Sequence, residues 1–113
     1  MKESNYTVQK NRVIYNDNTL IVVDDVIKEY IIIDGIVLLL DPSKSKSSRN
    51  IYCYDFAGRL KWQIALLDQL HHENYYTSIY LSEQNVLQAY NINGIEITIN
   101  KQDGSILKKE LIK

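Results

Sequence analysis

The chain has a single cysteine, Cys53, among 113 residues, so it can form no internal disulfide. At this length it needs none, because one domain of this size buries roughly two thirds of the surface its unfolded chain exposes. Small scaffolds stapled by disulfides or metals are thereby excluded. Alanine is scarce, at three residues, which disfavours a helical bundle. No apolar run is long enough for a bilayer: Ile31 to Leu40 is interrupted by Asp34 and Gly35, and a spanning helix takes about 20 residues. The start, Met1-Lys2-Glu3-Ser4-Asn5-Tyr6, lacks the basic and apolar regions of a signal peptide. A cytoplasmic protein without a membrane partner is expected. Glycine is limited to Gly35, Gly58, Gly94 and Gly104, isolated from one another, so no Gly-rich loop cradles a phosphate. Charge of one sign is lacking too, with 13 Lys+Arg against 14 Asp+Glu.

What is present points to strands. Ile (16), Val (7) and Thr (4) supply 27 β-branched side chains, joined by nine tyrosines, and such residues suit a pleated surface. Ile, Asn, Lys and Tyr together make 45 of the 113 residues, a bias that AT-rich codon usage produces and that points to a bacterial source. No linker separates two domains, so residues 1–113 read as one β-rich domain. Alternation and turn chemistry divide it into an antiparallel meander of about ten short strands. Val13-Ile14-Tyr15 and Leu20-Ile21-Val22-Val23 flank the hairpin turn Asn16-Asp17-Asn18. Ile27 to Ile33 meets Ile36 to Leu40 across Asp34-Gly35, read as a two-residue primed turn joining the most buried pair. Pro42 to Arg49 has no apolar residue and reads as an exposed loop. In Leu60-Lys61-Trp62-Gln63-Ile64 a period of two puts Leu60, Trp62 and Ile64 on one face, with Trp62 in the core. Alternation is lost between Leu66 and Tyr75 and returns in Thr77 to Leu81, Val86 to Ile92, Ile95 to Ile99 and Ser105 to Leu111.

One device occurs twice. Ile51-Tyr52-Cys53-Tyr54-Asp55-Phe56-Ala57-Gly58-Arg59-Leu60-Lys61-Trp62 and Ile95-Glu96-Ile97-Thr98-Ile99-Asn100-Lys101-Gln102-Asp103-Gly104-Ser105-Ile106-Leu107-Lys108 each carry a strand ending on Asp or Asn, a turn closing on Gly, and a further strand. Gly58 and Gly104 are 46 residues apart, near the length of a propeller blade. The first copy resembles the quinoprotein-like (PQQ-type) β-propeller repeat; the second lacks the Trp. The resemblance implies blade-like antiparallel units. A closed propeller needs at least four blades, roughly 160 to 200 residues, and this chain holds about two and a half. The expected architecture is therefore all-β, with blade-like units forming a sandwich or an open two-sheet domain. In quinoproteins the cofactor sits on an axis built by many blades, so no cofactor is expected here.

Few residues form a chemical constellation. His71-His72-Glu73 suggests a metal site or a general base, but adjacent side chains diverge and no second His or Cys cluster supplies further ligands. Asp24-Asp25 with Glu29 and Asp41 could pair carboxylates for hydrolysis, yet Asp at strand ends serves turns and caps. Cys53 lies within a strand and is expected to be buried. The serines lack a nucleophile elbow. Lys44, Lys46 and Arg49 are not interleaved with aromatics, so nucleic acid is not the expected partner.

Near-neutrality conceals opposite blocks. Residues 17–41 hold six acids against Lys28, a net −5, whereas residues 42–63 are net +4. Acidic residues gathered at one side would steer a basic partner, which makes Asp17, Asp24, Asp25, Glu29 and Asp41 the candidate partner-binding residues. The expectation is a protein-binding module without catalytic residues, concretely a bacterial immunity protein occluding a basic toxin domain. Two alternatives stand beside it. One is a small-molecule or carbohydrate-binding domain, with Trp62, Tyr52, Tyr54 and Tyr90 lining a groove and weak hydrolysis at Asp24, Asp25 and His71 or His72. The other is a self-associating module that pairs strand edges in a homodimer.

Overall fold

The computed structural model describes residues 5–44, 46–67 and 73–112. It is all-β and antiparallel, with eleven strands. They are β1 (Tyr6–Gln9), β2 (Arg12–Tyr15), β3 (Asn18–Val22), β4 (Ile27–Ile32), β5 (Ile36–Leu40), β6 (Ile51–Tyr54), β7 (Leu60–Gln63), β8 (Tyr76–Leu81), β9 (Leu87–Asn91), β10 (Ile95–Ile99) and β11 (Ile106–Leu111). Each strand pairs with its sequence neighbour, and the meander breaks twice, giving three sheets: β1-β2-β3, β4-β5-β6-β7 and β8-β9-β10-β11. That is one sheet more than the two expected, because residues 5–23 form a sheet of their own.

The second sheet lies in the middle, and this explains its sequence. Val37 and Leu39 of β5, with Ile51 and Cys53 of β6 and Trp62 of β7, join Ile79, Leu87, Ala89, Ile97 and Ile99 of the third sheet in one core cluster. Ile36, Leu38 and Leu40 turn the other way and pack with Tyr6, Val13 and Ile21 of the first sheet. A strand covered on both faces has no polar side, so β5 is buried at all five positions. Its partner β4 is only partly buried because it is an edge strand. Burying each fully enclosed Leu or Ile stabilises the fold by roughly 1.5 to 3 kcal/mol.

Polar side chains stitch the sheets together. Buried Asn50 donates to Leu40 O (2.8 Å) and Tyr76 O (2.9 Å), while its Oδ1 accepts from Tyr76 N–H (2.9 Å). It thus ties the end of β5 to the start of β8. Glu29 Oε1 accepts the backbone N–H of Ile79 (2.8 Å), bridging β4 and β8.

The turn repeat has a packing role. Asp55 Oδ1 accepts the backbone N–H groups of Ala57 and Arg59, and Asn100 Oδ1 accepts that of Gln102. Gly58 and Gly104 close these turns at φ +87° and +77°. A Cβ at Gly104 would lie 2.6 Å from Trp62 Cε3, and one at Gly58 would lie 2.8 Å from Leu20 O. Each later turn therefore seats on the last strand of the preceding sheet, and Trp62 Nε1 donates to Lys101 O (2.8 Å) in the turn that covers it.

Asn16 and Asp17 both take positive φ (49° and 66°), forming the two-residue turn. Trp62 is 5% exposed and Cys53 1%, both in the core. Leu60, however, is 55% exposed. Tyr54 pairs with Leu60 and Cys53 with Trp62, so Lys61 is an extra, bulged residue that shifts Leu60 off the Trp62 face. The hairpin between β4 and β5 is not a two-residue primed turn: Ile32 pairs with Ile36 across three residues, and Gly35 has no positive φ. Gly35 is there for space, since a Cβ would lie 2.8 Å from Tyr54 O.

Candidate partner-binding site

An antiparallel meander delivers its connections alternately to two ends. Residues 16–17, 33–35 and 55–59 emerge at one end, and residues 24–26, 41–50 and 92–94 at the other. Asp17 and Asp24 are therefore separated by the length of β3, about 17 Å at a strand rise of roughly 3.3 Å per residue. The five candidate acids do not form one patch. Asp17 sits in the exposed β2–β3 turn. Glu29 is engaged by Ile79 N–H. Asp24, Asp25 and Asp41 share the other end, where Asp41 N–H bonds to Val26 O at 2.8 Å.

Within that trio the roles differ. Asp41 Oδ1 accepts both the N–H (2.9 Å) and the Oγ–H (2.6 Å) of Ser43, and these bonds hold its carboxyl below the usual range. Asp25 is 4% exposed and held among its neighbours. Asp24 is exposed and, among the described residues, enters no ion pair.

Asp24 borders a notch of about 160 Å³, shared with Val22, Val23, Asp25, Leu40, Ser47, Tyr52 and Tyr54. The strand pattern explains the tyrosines: β6 sends Ile51 and Cys53 into the core shared with the third sheet, which leaves Tyr52 and Tyr54, on its opposite face, half-buried beside the first. Burial, followed by the charges of Asp24 and Asp25, raises the Tyr52 hydroxyl above its ordinary value; burial, Tyr52 and Asp24 do the same for Tyr54. Both rings remain neutral phenols at physiological pH. Tyr52 Oη accepts from Gln63 Nε2 at 3.0 Å, which fixes that ring. Val22, 62% exposed, lines the notch, and Val26, next to Asp25 in the chain, is 53% exposed; both present apolar surface to solvent. Neither valine stands out in the sequence: alternation assigns Val22 a face but does not reveal that no sheet covers it.

Beside the notch, and sharing Ser47 with it, is a cavity of about 420 Å³. Lys28, Asp41, Ser43, Lys46, Ser48, Glu73 and Tyr75 are among its lining residues. The basic loop thus folds next to the acidic end. Arg49 is held there by its Nε, which donates to Ile64 O at 2.8 Å. His71 and His72 lie outside the described residues. Among the described residues, no three His, Cys, Asp or Glu side chains gather in a way that could hold a metal ion. No helix among them is long and apolar enough to cross a membrane.

The domain of unknown function DUF7957 matches residues 3–111. The chain belongs to the DUF7957 family. No curated protein matches it. The match takes in both end sheets and every residue of the notch, so the notch lies within the DUF7957 domain itself.

Proposed function

We propose that this DUF7957 chain is a protein-binding module that acts by occupancy and not by catalysis, using the end of the fold that carries Asp24, Tyr52 and Tyr54. The observation that carries the reading is the notch: an exposed carboxylate, two half-buried tyrosine rings and the exposed Val22 lie together. Tyrosine and apolar surface beside a charge is the composition of a binding hot spot, in which a few desolvated anchors supply most of the affinity. Its concrete form is a cytoplasmic bacterial immunity protein that covers the active site of a basic toxin domain. The blade-like units serve as a rigid frame that holds the connections of adjacent sheets together.

Co-expression tests this reading. A basic, growth-inhibiting domain encoded beside the gene is expressed with and without the chain. Restored growth and a co-purifying complex are expected, both lost in Asp24→Lys. A toxic neighbour that is neither bound nor neutralised by the folded chain refutes the reading.

The cavity of about 420 Å³ favours a second reading, a small-molecule or carbohydrate-binding domain, because ligand pockets run from roughly 300 to 1,000 Å³. That reading has lost its best platform. Trp62 is buried against Gly104 and its indole N–H is spent on Lys101 O.

A further inference from the structure

The size and lining of the notch narrow the partner chemistry. A volume of about 160 Å³ is below that of ordinary ligand pockets, roughly 300 Å³ upward. It is close to a cavity of about 150 Å³ that accommodates one benzene ring. That size suits one side chain better than a nucleotide or an oligosaccharide. The lining selects the side chain. Asp24 offers a carboxylate that, among the described residues, has no ion pair, and buried Asp25 also lines the notch. Tyr52 and Tyr54 add aromatic rings, and the face of such a ring attracts cations. Val22, Val23 and Leu40 supply apolar walls. Of the nearby cations, Arg49 is tethered to Ile64 O, and Lys28 and Lys46 line the adjoining cavity.

We propose that this notch receives a single arginine side chain of the partner protein, its guanidinium paired with Asp24 and stacked on Tyr52 or Tyr54, its methylenes against Val22 and Leu40. Arginine suits the site better than lysine. Its planar, weakly hydrated cation stacks on aromatic rings and meets a carboxylate with a fork of donors, whereas an ammonium gives up water reluctantly. The proposal rests on the protein-binding reading and adds the identity of the anchor.

The test uses the full chain and a blocked amino acid, N-acetyl-arginine methylamide, titrated while amide NMR resonances are followed. Controls are the corresponding lysine compound and the citrulline compound, which keeps arginine's shape without its charge. Saturable shifts confined to residues 22–25, 40, 47, 52 and 54 are expected for arginine. Asp24→Asn, an exposed change whose fold is checked by circular dichroism, weakens them about fivefold or more, the loss of roughly 1 kcal/mol. Equal shifts from citrulline or lysine, an Asp24→Asn protein that titrates like the wild type, or no response at the notch each overturn the proposal. The two levels separate cleanly. If the arginine probe fails while the neighbouring toxin is still neutralised, protein binding stands with a different anchor; if neutralisation fails, the underlying reading falls.

Discussion

Replacing Gly104 tests whether the sheets are held together by the seating of a turn on Trp62. An added Cβ would lie 2.6 Å from Trp62 Cε3 and 2.8 Å from Cδ2, far inside contact distance, and the backbone sits at φ +77°. The left-handed conformation alone costs a non-glycine residue about 1 to 2 kcal/mol. Forcing a methyl into a packed site adds about 1 to 3 kcal/mol, and displacing Trp62 endangers the bond from its Nε1 to Lys101 O, worth about 1 kcal/mol. Gly104→Ala should therefore cost about 3 to 6 kcal/mol. Trp62→Ala on its own should cost about 3 to 5 kcal/mol as a large-to-small core change. The decisive measurement is the double-mutant cycle. With the indole gone, the methyl of Gly104→Ala keeps only its 3.2 Å approach to Gln63 O, so in the Trp62→Ala background it should cost little beyond the backbone component of about 1 to 2 kcal/mol. Urea unfolding followed by far-UV circular dichroism reports all four proteins without relying on the indole. Additive costs within about 0.5 kcal/mol would show that turn and Trp62 do not meet as described.

Asn50→Ala leaves Leu40 O and both backbone groups of Tyr76 without their side-chain partner in a buried setting. It should cost about 2 to 4 kcal/mol by the same unfolding assay, and a loss below about 0.5 kcal/mol would refute the stitching role. Burial lifts the Cys53 thiol to about 11, so alkylation at neutral pH should be slow in the folded protein and rapid in urea; equal rates would place the thiol at the surface. Hydrogen bonds from Ser43, Arg59 and Ser105 lower the carboxyls of Asp41, Asp55 and Asp103 below 3.8. Groups depressed on folding stabilise above their unfolded value and cease to do so as pH falls through the folded one. Melting temperature should accordingly drop below about pH 4, less steeply in the Asp55→Asn, Asp103→Asn variant; an unchanged acid limb would count against these turns.

How far the fold could be read from the residues depends on the interaction concerned. Strand neighbours were legible, because alternation and turn residues are local: Asn16-Asp17 marks a hairpin, and the unbroken run Ile36 to Leu40 marks a strand covered on both faces. The breaks between sheets were not. A connection such as Asp24-Asp25-Val26 looks like any other polar link, and whether it closes a hairpin or crosses to a new sheet depends on packing by distant residues. The Lys61 bulge was equally hidden, since one unpaired residue changes the face of Leu60 without altering the pattern. Gly35 reads as a turn glycine, although the nearby Tyr54 carbonyl, 19 residues away in sequence, is what excludes a side chain.

The candidate site shows the same division more sharply. Counting charge along the chain gathers Asp17 to Asp41 into one acidic block, but the fold does not preserve linear blocks. Each strand carries the chain to the opposite end, so Asp17 and Asp34 part from Asp24, Asp25 and Asp41, and the loop bearing Lys44 and Lys46 returns to the acidic end. Opposite charges placed so near each other cancel beyond about 8 Å at physiological salt, which removes the long-range steering that the −5 block implied. What survives is short-ranged: one free carboxylate, two tyrosines set by the alternation of β6, and an apolar rim. Recognition at this end must then come from fit and desolvation in the notch, so the basicity of the partner counts where it delivers one anchoring side chain to that notch.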